Sequence, residues 1–472
     1  MPSNSWSENN SDSDLDPITS LLSDLSDEDF ESDFFFQGLE GRRRKAALLL
    51  TIIWGGTITL HLVSWGTWLI WGLTTVIGIQ VICLLLARPL KTPEPLSDQD
   101  QANFPEVSLL VAAKNEEAVI ANLVRTLCNL NYPKTKYEVW VIDDYSTDRT
   151  PQLLEELAKE YEQLKVLHRS ADAGGGKSGA LNQVLPLTKG EIVGVFDADA
   201  QVPLDLLRSV LPLFNKPSVG AVQVRKATTN AQLNFWTKGQ MAEMLCDAFL
   251  QQQRIAFGGI GELRGNGQFV RRSALERCGN WNEQTITDDL DLTLRLHLDN
   301  WDINFLDHPA VEEEGVTNAL ALWHQRNRWS EGGYQRYLDY WRLLASNRLS
   351  LIKTLDLFSF MFIQYIIPAT AIPDLLMAIA RNRLPILTPL TGLGFTLISV
   401  SMFNGLRNSK RGEQFSLYQL LVTLWQTIRG TLYMGHWMVV MAATTTRMSV
   451  RPKRLKWVKT SHQGSGEESF EF

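Results

Sequence analysis

The chain is poor in cysteine, with 4 in 472 residues. Cys83, Cys128, Cys246 and Cys278 are far apart and none sits in a C-x-x-C pair, so neither a disulfide framework nor a thiolate zinc site is expected. Cys83 falls inside an apolar run, which favours reduced thiols. The start of the chain has no positive charge: residues 1–41 hold 11 acidic side chains and no Lys or Arg. Without a basic n-region, no secretory signal peptide is expected. This segment has little apolar surface to offset the entropy of ordering, so it is predicted to be a disordered acidic tail. The cluster Phe34, Phe35 and Phe36 is its one candidate contact point. With the tail set aside, 45 basic face 41 acidic side chains, so the formal charge of −7 describes an acidic tail on a slightly basic body. Neither a small secreted domain nor a wholly disordered chain fits, and nothing in the charge balance calls for a nucleic-acid partner.

What the chain has instead is long apolar runs. Arg42, Arg43, Arg44 and Lys45 precede a run from Ala46 to Ala87, about twice the ~20 residues that cross a bilayer. Ser64, Trp65 and Gly66 mark its middle, which predicts a hairpin of two transmembrane helices over 42–88. Basic residues at both ends, with Arg88 and Lys91 after it, place both ends in the cytoplasm. A Pro-rich linker over 89–104 follows. Residues 105–345 alternate β-rich runs with helical patterns: Val107 to Ala113, Glu117 to Leu130, Glu138 to Ile142, Pro151 to Tyr161, Lys165 to His168, and Ile192 to Phe196. That rhythm predicts an α/β domain with a mostly parallel, Rossmann-like sheet.

Residues 346–446 form a second membrane region. Leu357 to Ala380 and Leu384 to Leu406 are two apolar segments, the first kinked by Pro368 and Pro373. Leu417 to Ala443 is long for one crossing and short for two, and contains Arg429 and His436. The tail 447–472 begins basic (Arg447, Arg451, Lys453, Arg454, Lys456, Lys459), arguing for a cytoplasmic C-terminus that a fifth crossing would contradict. A broken or partly interfacial segment resolves the conflict; four and five crossings both stay open. Arg429, as an intramembrane charge, is a functional candidate, with a snorkelling or helix-break role as the alternative.

Chemistry-bearing residues cluster where strands end, the edge at which open α/β sheets bind ligands. Lys114-Asn115-Glu116-Glu117 follows the first strand. Asp143 and Asp144 end the second, where a helix-capping role is the alternative. Gly174 to Asn182 reads like a phosphate-binding loop, yet the Walker pattern needs Gly where Ala171 stands; a flexible loop placing Lys177 on a diphosphate remains. Ile192 to Phe196 delivers Asp197-Ala198-Asp199, a carboxylate pair suited to a hard divalent cation that also takes oxygens from substrate phosphates. Thr287-Asp288-Asp289 precedes a helical pattern, for which N-capping is the bland alternative. Gln325-Arg326-Asn327-Arg328-Trp329 by itself reads as a solvated basic helix.

In this order and combination the motifs resemble those of the family-2 glycosyltransferases, over Val107 to Trp341. The resemblance implies a GT-A fold, flanked here by transmembrane helices. It also implies that Asp143 and Asp144 hold uridine, that Lys177 approaches the nucleotide, and that Asp197 and Asp199 bind the sugar diphosphate and Mg²⁺ or Mn²⁺. The family's T-E-D motif reads T-D-D, so the catalytic base carries over to Asp289, with Asp288 one methylene shorter than the family's Glu. Gln325, Arg328 and Trp329 match the Q-x-x-R-W motif at the diphosphate and acceptor. The implied reaction is a single inverting displacement giving a β-glycoside.

A soluble acceptor needs no membrane helices; a lipid hydroxyl or a threaded polysaccharide does. Asn318 to Leu344 mixes Trp323, Trp329, Tyr334, Tyr337, Tyr340 and Trp341 with basic residues, which suits a helix at headgroup level or a packed domain helix. Phe235, Trp236, Met241, Met244, Leu245 and Phe249 line an acceptor entrance or form ordinary core. The gating pattern F-x-V-T-x-K of the processive synthases is absent after Trp329. Within the family the chain is most similar to members that move glucose from UDP-glucose to diacylglycerol in the bilayer. A processive polysaccharide synthase and a non-catalytic nucleotide-sugar-binding scaffold are the alternatives. Glucose against galactose, and the oligomeric state, stay open.

Overall fold

The computed structural model describes residues 41–98, 103–410 and 416–450. The acidic tail with its phenylalanines, and the basic end from residue 451, lie outside the described residues.

The predicted hairpin is present as helices Arg42–Leu62 and Gly66–Leu86. Gly66 turns the corner: a Cβ there would overlap the backbone oxygen of Leu60. The basic cluster that opens the hairpin is partly buried: Arg42 and Lys45 are buried and Arg42 is ion-paired with Asp339.

The α/β domain is built on strands β1 (Val107–Ala113), β2 (Tyr137–Asp143), β3 (Leu164–His168), β4 (Ile192–Phe196), β5 (Val219–Thr228), β6 (Gln268–Arg271) and β7 (Asp302–Glu313). They form one sheet in the order β3-β2-β1-β4-β6-β5-β7. β1 pairs in parallel with β2 and β4, β2 with β3, and β5 with β7, whereas β6 runs antiparallel to both neighbours. The mostly parallel sheet is thus as predicted; the antiparallel β6, β5 beside it and β7 at the edge are additions. β1, β2 and β4 are buried on both faces, which explains their near-continuous apolar sequence. Their carboxyl ends lie side by side, so the residues just past Ala113, Asp143 and Phe196 share one edge.

Among the described residues, four helices are long and apolar enough to cross a membrane: Arg42–Leu62, Gly66–Leu86, Leu351–Ala380 and Thr388–Asn408. The third is not one regular helix. It changes to a π turn at Phe362–Ile366 before resuming, close to Pro368, which has no N–H for the carbonyl of Gln364. The last apolar segment is broken at Gly435 into helices Leu417–Met434 and His436–Val450. The first piece exposes Leu417, Leu421, Leu424, Ile428 and Leu432 and buries Thr423, Thr427, Gly430 and Tyr433 on the opposite side. Its Arg429 is half-buried and lies away from the large cavity described below.

Domain and membrane helices are packed together directly. Phe235–Ala256 lies against Thr388–Asn408 and Leu417–Met434, so Leu245 and Phe249 are core, while Phe235 stays exposed. A Cβ at Gly405 would overlap the backbone oxygen of Leu245. Gly405→Ala is therefore expected to cost about 1–3 kcal/mol through overpacking, read as a lower unfolding temperature in detergent; an unchanged midpoint would show a looser contact. Helix Ala319–Asp339 is packed over its second half, while Leu320 and Trp323 in its first half are exposed. Its second half is buried from Gly332 to Asp339 against Asp288–Leu298, His436–Val450 and Arg42–Leu62.

Candidate functional site

The loop before helix Gly176–Val184 places Lys177 in the first helical turn. Gly175 has φ 79°, and a Cβ there would lie 2.8 Å from both Gly179 and the Glu283 carboxyl carbon, so only glycine fits. Arg169, absent from the sequence reading, holds this loop: it donates to the carbonyls of Gly174 and Gly176 and to Asp144 at 2.5 Å. Lys177 reaches Asp197, with Nζ 2.5 Å from Oδ1.

The acidic pair after β2 divides its labour. The Asp143 carboxylate is buried, accepting from Ser146 N and facing His168 Nδ1 at 2.9 Å, which pins the turn. Burial alone would lower the His168 pKa, but the carboxylates of Asp143 and Glu155 raise it. Asp144, by contrast, lines the cavity beside Lys114, 3.4 Å away. Capping is not its role: the helix after this loop starts at Thr150 and Thr150 N bonds to Asp148.

Asp197 and Asp199 follow β4. The Asp197 amide donates to Asn266, and Asp199 Oδ2 accepts from Glu314 N at 3.4 Å. Burial would raise the Asp197 pKa, but Lys177 foremost, with Lys226 and Arg328, holds it below the usual carboxylate range. Among the described residues there is no group of three or more His, Cys, Asp or Glu placed to hold a metal. The donor chemistry fits a hard divalent cation nonetheless, because such ions take part of their shell from substrate phosphates. The Lys177 ammonium on Asp197 marks the spot as one that attracts positive charge.

Asp288 and Asp289 open helix Asp288–Leu298, where the helix dipole favours carboxylates. Asp289 Oδ1 accepts from Leu290 N at 2.8 Å, and its Oδ2 lies close to Gly265. Burial first, and then the adjacent Asp288 carboxylate, lift the Asp289 pKa from 3.8 to about 6; the Leu290 N–H, Lys177 and Lys226 oppose the rise. That value suits a general base near neutral pH.

The Q-x-x-R-W residues sit on Ala319–Asp339 facing the same space. Arg328 is half-buried, and burial lowers its pKa while the carboxylates of Asp197, Asp289 and Asp288 counteract the effect. Trp329 lies between two cations, Lys226 at 5.4 Å and Arg326 at 4.1 Å from its ring centre. Arg326 is buried, pairs with Glu243 at 2.5 Å, and also faces Trp437. The solvated-helix alternative for this motif is therefore ruled out. Lys226, Arg264 and Glu243 were not legible as site residues, since no motif surrounds them.

One cavity of about 770 Å³ joins these groups. Its polar lining includes Lys114, Asp144, Lys177, Asp197, Asp199, Asp288, Asp289, Gln325, Arg328 and Trp329. Its lining also includes Phe360, Ile363, Phe395, Ile398 and Met438 from the helices Leu351–Ala380, Thr388–Asn408 and His436–Val450. The cavity thus joins a polar, charge-rich chamber to an apolar passage.

The sequence model of the family described as "Glycosyltransferase like family 2" matches residues 105–332. Over 99% of its length the chain is 63% identical to the whole of the β-monoglucosyldiacylglycerol synthase of Nostoc sp.. Over its full length it is 55% identical to 99% of a synthase of the same name from Synechocystis sp.. Among solved structures, the mannosyltransferase PcManGT of Pyrobaculum calidifontis, in complex with GDP-Man and Mn²⁺, superposes with a TM-score of 0.51 at 18% identity. That match covers 85% of this chain and 98% of the other, and the likeness is one of fold.

Proposed function

The chain belongs to glycosyltransferase family 2, and from that premise we propose that it moves glucose from UDP-glucose to the free hydroxyl of 1,2-diacylglycerol, giving β-monoglucosyldiacylglycerol and UDP. The observation that supports the acceptor is one cavity whose lining joins Asp289 and the charged groups to apolar side chains of helices Leu351–Ala380 and Thr388–Asn408. A sugar nucleotide has the chemistry of the chamber, and two acyl chains have that of the passage. The relatives named above carry the same activity in their names.

In this reading Asp144 faces the uridine, with Asp143 holding the turn beneath it. Lys177 and Arg328 bring positive charge to the diphosphate, and Gln325 and Trp329 flank the sugar and acceptor. Asp197 and Asp199 would hold Mg²⁺ or Mn²⁺, which when bound offsets charge on the leaving diphosphate. The Asp289 carboxylate takes the proton of the acceptor hydroxyl as that oxygen attacks the anomeric carbon from the face opposite UDP. One displacement inverts the α-linked donor to a β-glycoside. The passage admits the lipid from the side, so the glycerol hydroxyl reaches Asp289 without its acyl chains crossing water.

The four apolar helices anchor the enzyme, with the catalytic domain on the cytoplasmic side, as the flanking Arg42–Lys45, Arg88 and Lys91 favour. Helix Leu417–Met434 lies along the membrane surface rather than across it. Its far end, Tyr433, meets Phe235 and Trp236 of the catalytic domain edge-on, and its exposed stripe is apolar.

The test is to incubate membranes bearing the enzyme with diacylglycerol, Mg²⁺ and labelled UDP-glucose or UDP-galactose. The expected result is label from UDP-glucose in a monoglucosylated lipid, abolished by EDTA. Label in a water-extractable polymer would instead mark a polysaccharide synthase, and binding without turnover a scaffold.

A further inference from the structure

We infer that Gln364, on the π turn of the third membrane helix, is a binding residue for the glycerol ester groups of the acceptor and makes the enzyme select diacyl over dialkyl glycerols. This rests on the lipid-acceptor reading above.

The first observation is where the residue stands. Helix Leu351–Met361 passes into a π turn at Phe362–Ile366, in which Ile367 N donates to Phe362 O five residues back, before helix Ile367–Ala380 resumes. π turns inside helices are often found at functional sites, because the extra residue re-aims its neighbours. Here the turn is fixed against the catalytic domain. Tyr365 is buried and stacks on Tyr334 with ring centres 5.7 Å apart, and it meets Tyr337 edge-on at 5.6 Å. It also packs onto Gly333, and Leu290, next to Asp289, lies 3.5 Å from where a Gly333 Cβ would be. The π turn is thereby tied to the start of the helix that carries the base, and Gln364 and Asp289 line the same cavity.

The second observation is the company Gln364 keeps. The lining that these two helices give the cavity is mostly apolar: Phe360, Ile363, Ile367 and Pro368 from its own helix and Phe395 and Ile398 from the next. In that apolar passage its side-chain oxygen is buried with no hydrogen-bond partner. A polar group inside a membrane helix is costly and marks function more often than packing, and no protein group meets the oxygen of this carboxamide. The carboxamide offers an acceptor and two donors, and rotation about its last bond presents either to the cavity. Diacylglycerol brings matching chemistry: two ester carbonyls a few bonds from the hydroxyl that must reach Asp289. The Gln364 N–H group donates to an ester carbonyl, holding the glycerol with its hydroxyl toward the carboxylate and its acyl chains in the passage.

A diether glycerol has the same chains and the same hydroxyl but no carbonyls, so it separates ester recognition from lipid fit. With the unaltered enzyme, kcat/KM for dioleoylglycerol is expected to exceed that for dioleylglycerol by about tenfold, one neutral hydrogen bond's worth. Gln364→Met, close in shape, is expected to lose that preference through a raised KM for the diester. Its rate with the diether and its KM for UDP-glucose are expected to stay unchanged. Equal rates on both acceptors in the unaltered enzyme would overturn the inference without any variant. An equal fall on both acceptors in Gln364→Met would do so too, marking a structural role. No transfer to either lipid by the unaltered enzyme would overturn the proposed function itself, a distinct outcome.

Discussion

Replacing Asp289 with asparagine is expected to lower glucosyl transfer by about 10²–10⁴-fold, the usual worth of general-base help, while leaving UDP-glucose binding intact. The asparagine oxygen can keep the hydrogen bond from Leu290 N, so the start of helix Asp288–Leu298 stays formed and only basicity is lost. A variant with full activity would show that another group takes the proton. The pH profile makes the same point without a mutation. Because burial and Asp288 lift the Asp289 pKa to about 6, kcat/KM is expected to fall tenfold per unit on acidification below that value and to level off above it. Asp288→Asn removes the repelling charge and should move the acid limb to lower pH. A limb that stays in place would mean that Asp288 does not act on the base.

Glu262→Gln is expected to destabilise the protein by about 3–5 kcal/mol, the cost of breaking a buried ion pair. Glu262 is fully buried, in the segment between helix Phe235–Ala256 and β6. Three guanidinium groups converge on it: Arg264 at 2.6 Å, Arg336 at 3.0 Å and Arg254 at 3.6 Å. Burial would raise its pKa, but these charges hold it well below the usual 4.5. Asp247 and Asp356 complete the cluster, paired with Arg264 and Arg254. Three negative and three positive charges therefore balance where the catalytic domain meets the first turns of Leu351–Met361, and a neutral amide in place of the carboxylate would leave one arginine uncompensated. The measurement is thermal unfolding in detergent, and an unchanged midpoint would refute the account. A depressed carboxylate pKa stabilises above the unfolded value and is lost only on acidification toward the folded one, so the variant should differ most from the parent at neutral pH. Activity should suffer as well, since the same segment carries Gly265 against Asp289.

How much of this was legible in the sequence varies residue by residue. β1 and β4 run over the predicted ranges because continuous buried apolar runs bounded by polar residues have one reading. β6 has only four residues, too few for a period, and β7 loses its alternation at Leu306 and carries Pro309 within it; both depend on partners far along the chain. Asp143 and Asp144 looked equivalent as a pair, yet successive residues leaving a strand point to opposite sides, so one pins the turn and the other faces the cavity. The last apolar segment, ambiguous by length, is broken at Gly435 and contacts the catalytic domain at Tyr433 and Trp437.

The local properties were written along the chain: the two-helix hairpin, the parallel strands, and the identity and order of the carboxylates and cations that belong to sugar-nucleotide chemistry. Each of these follows from neighbours in the chain, through apolar run length, periodicity or motif spacing. Folding was needed to settle which of those groups face one cavity, how far Asp289 is lifted toward neutrality, and that the charged chamber opens into an apolar passage past Gln364. Those properties arise from burial, and from contacts between segments far apart in the chain, which close only when the chain has folded.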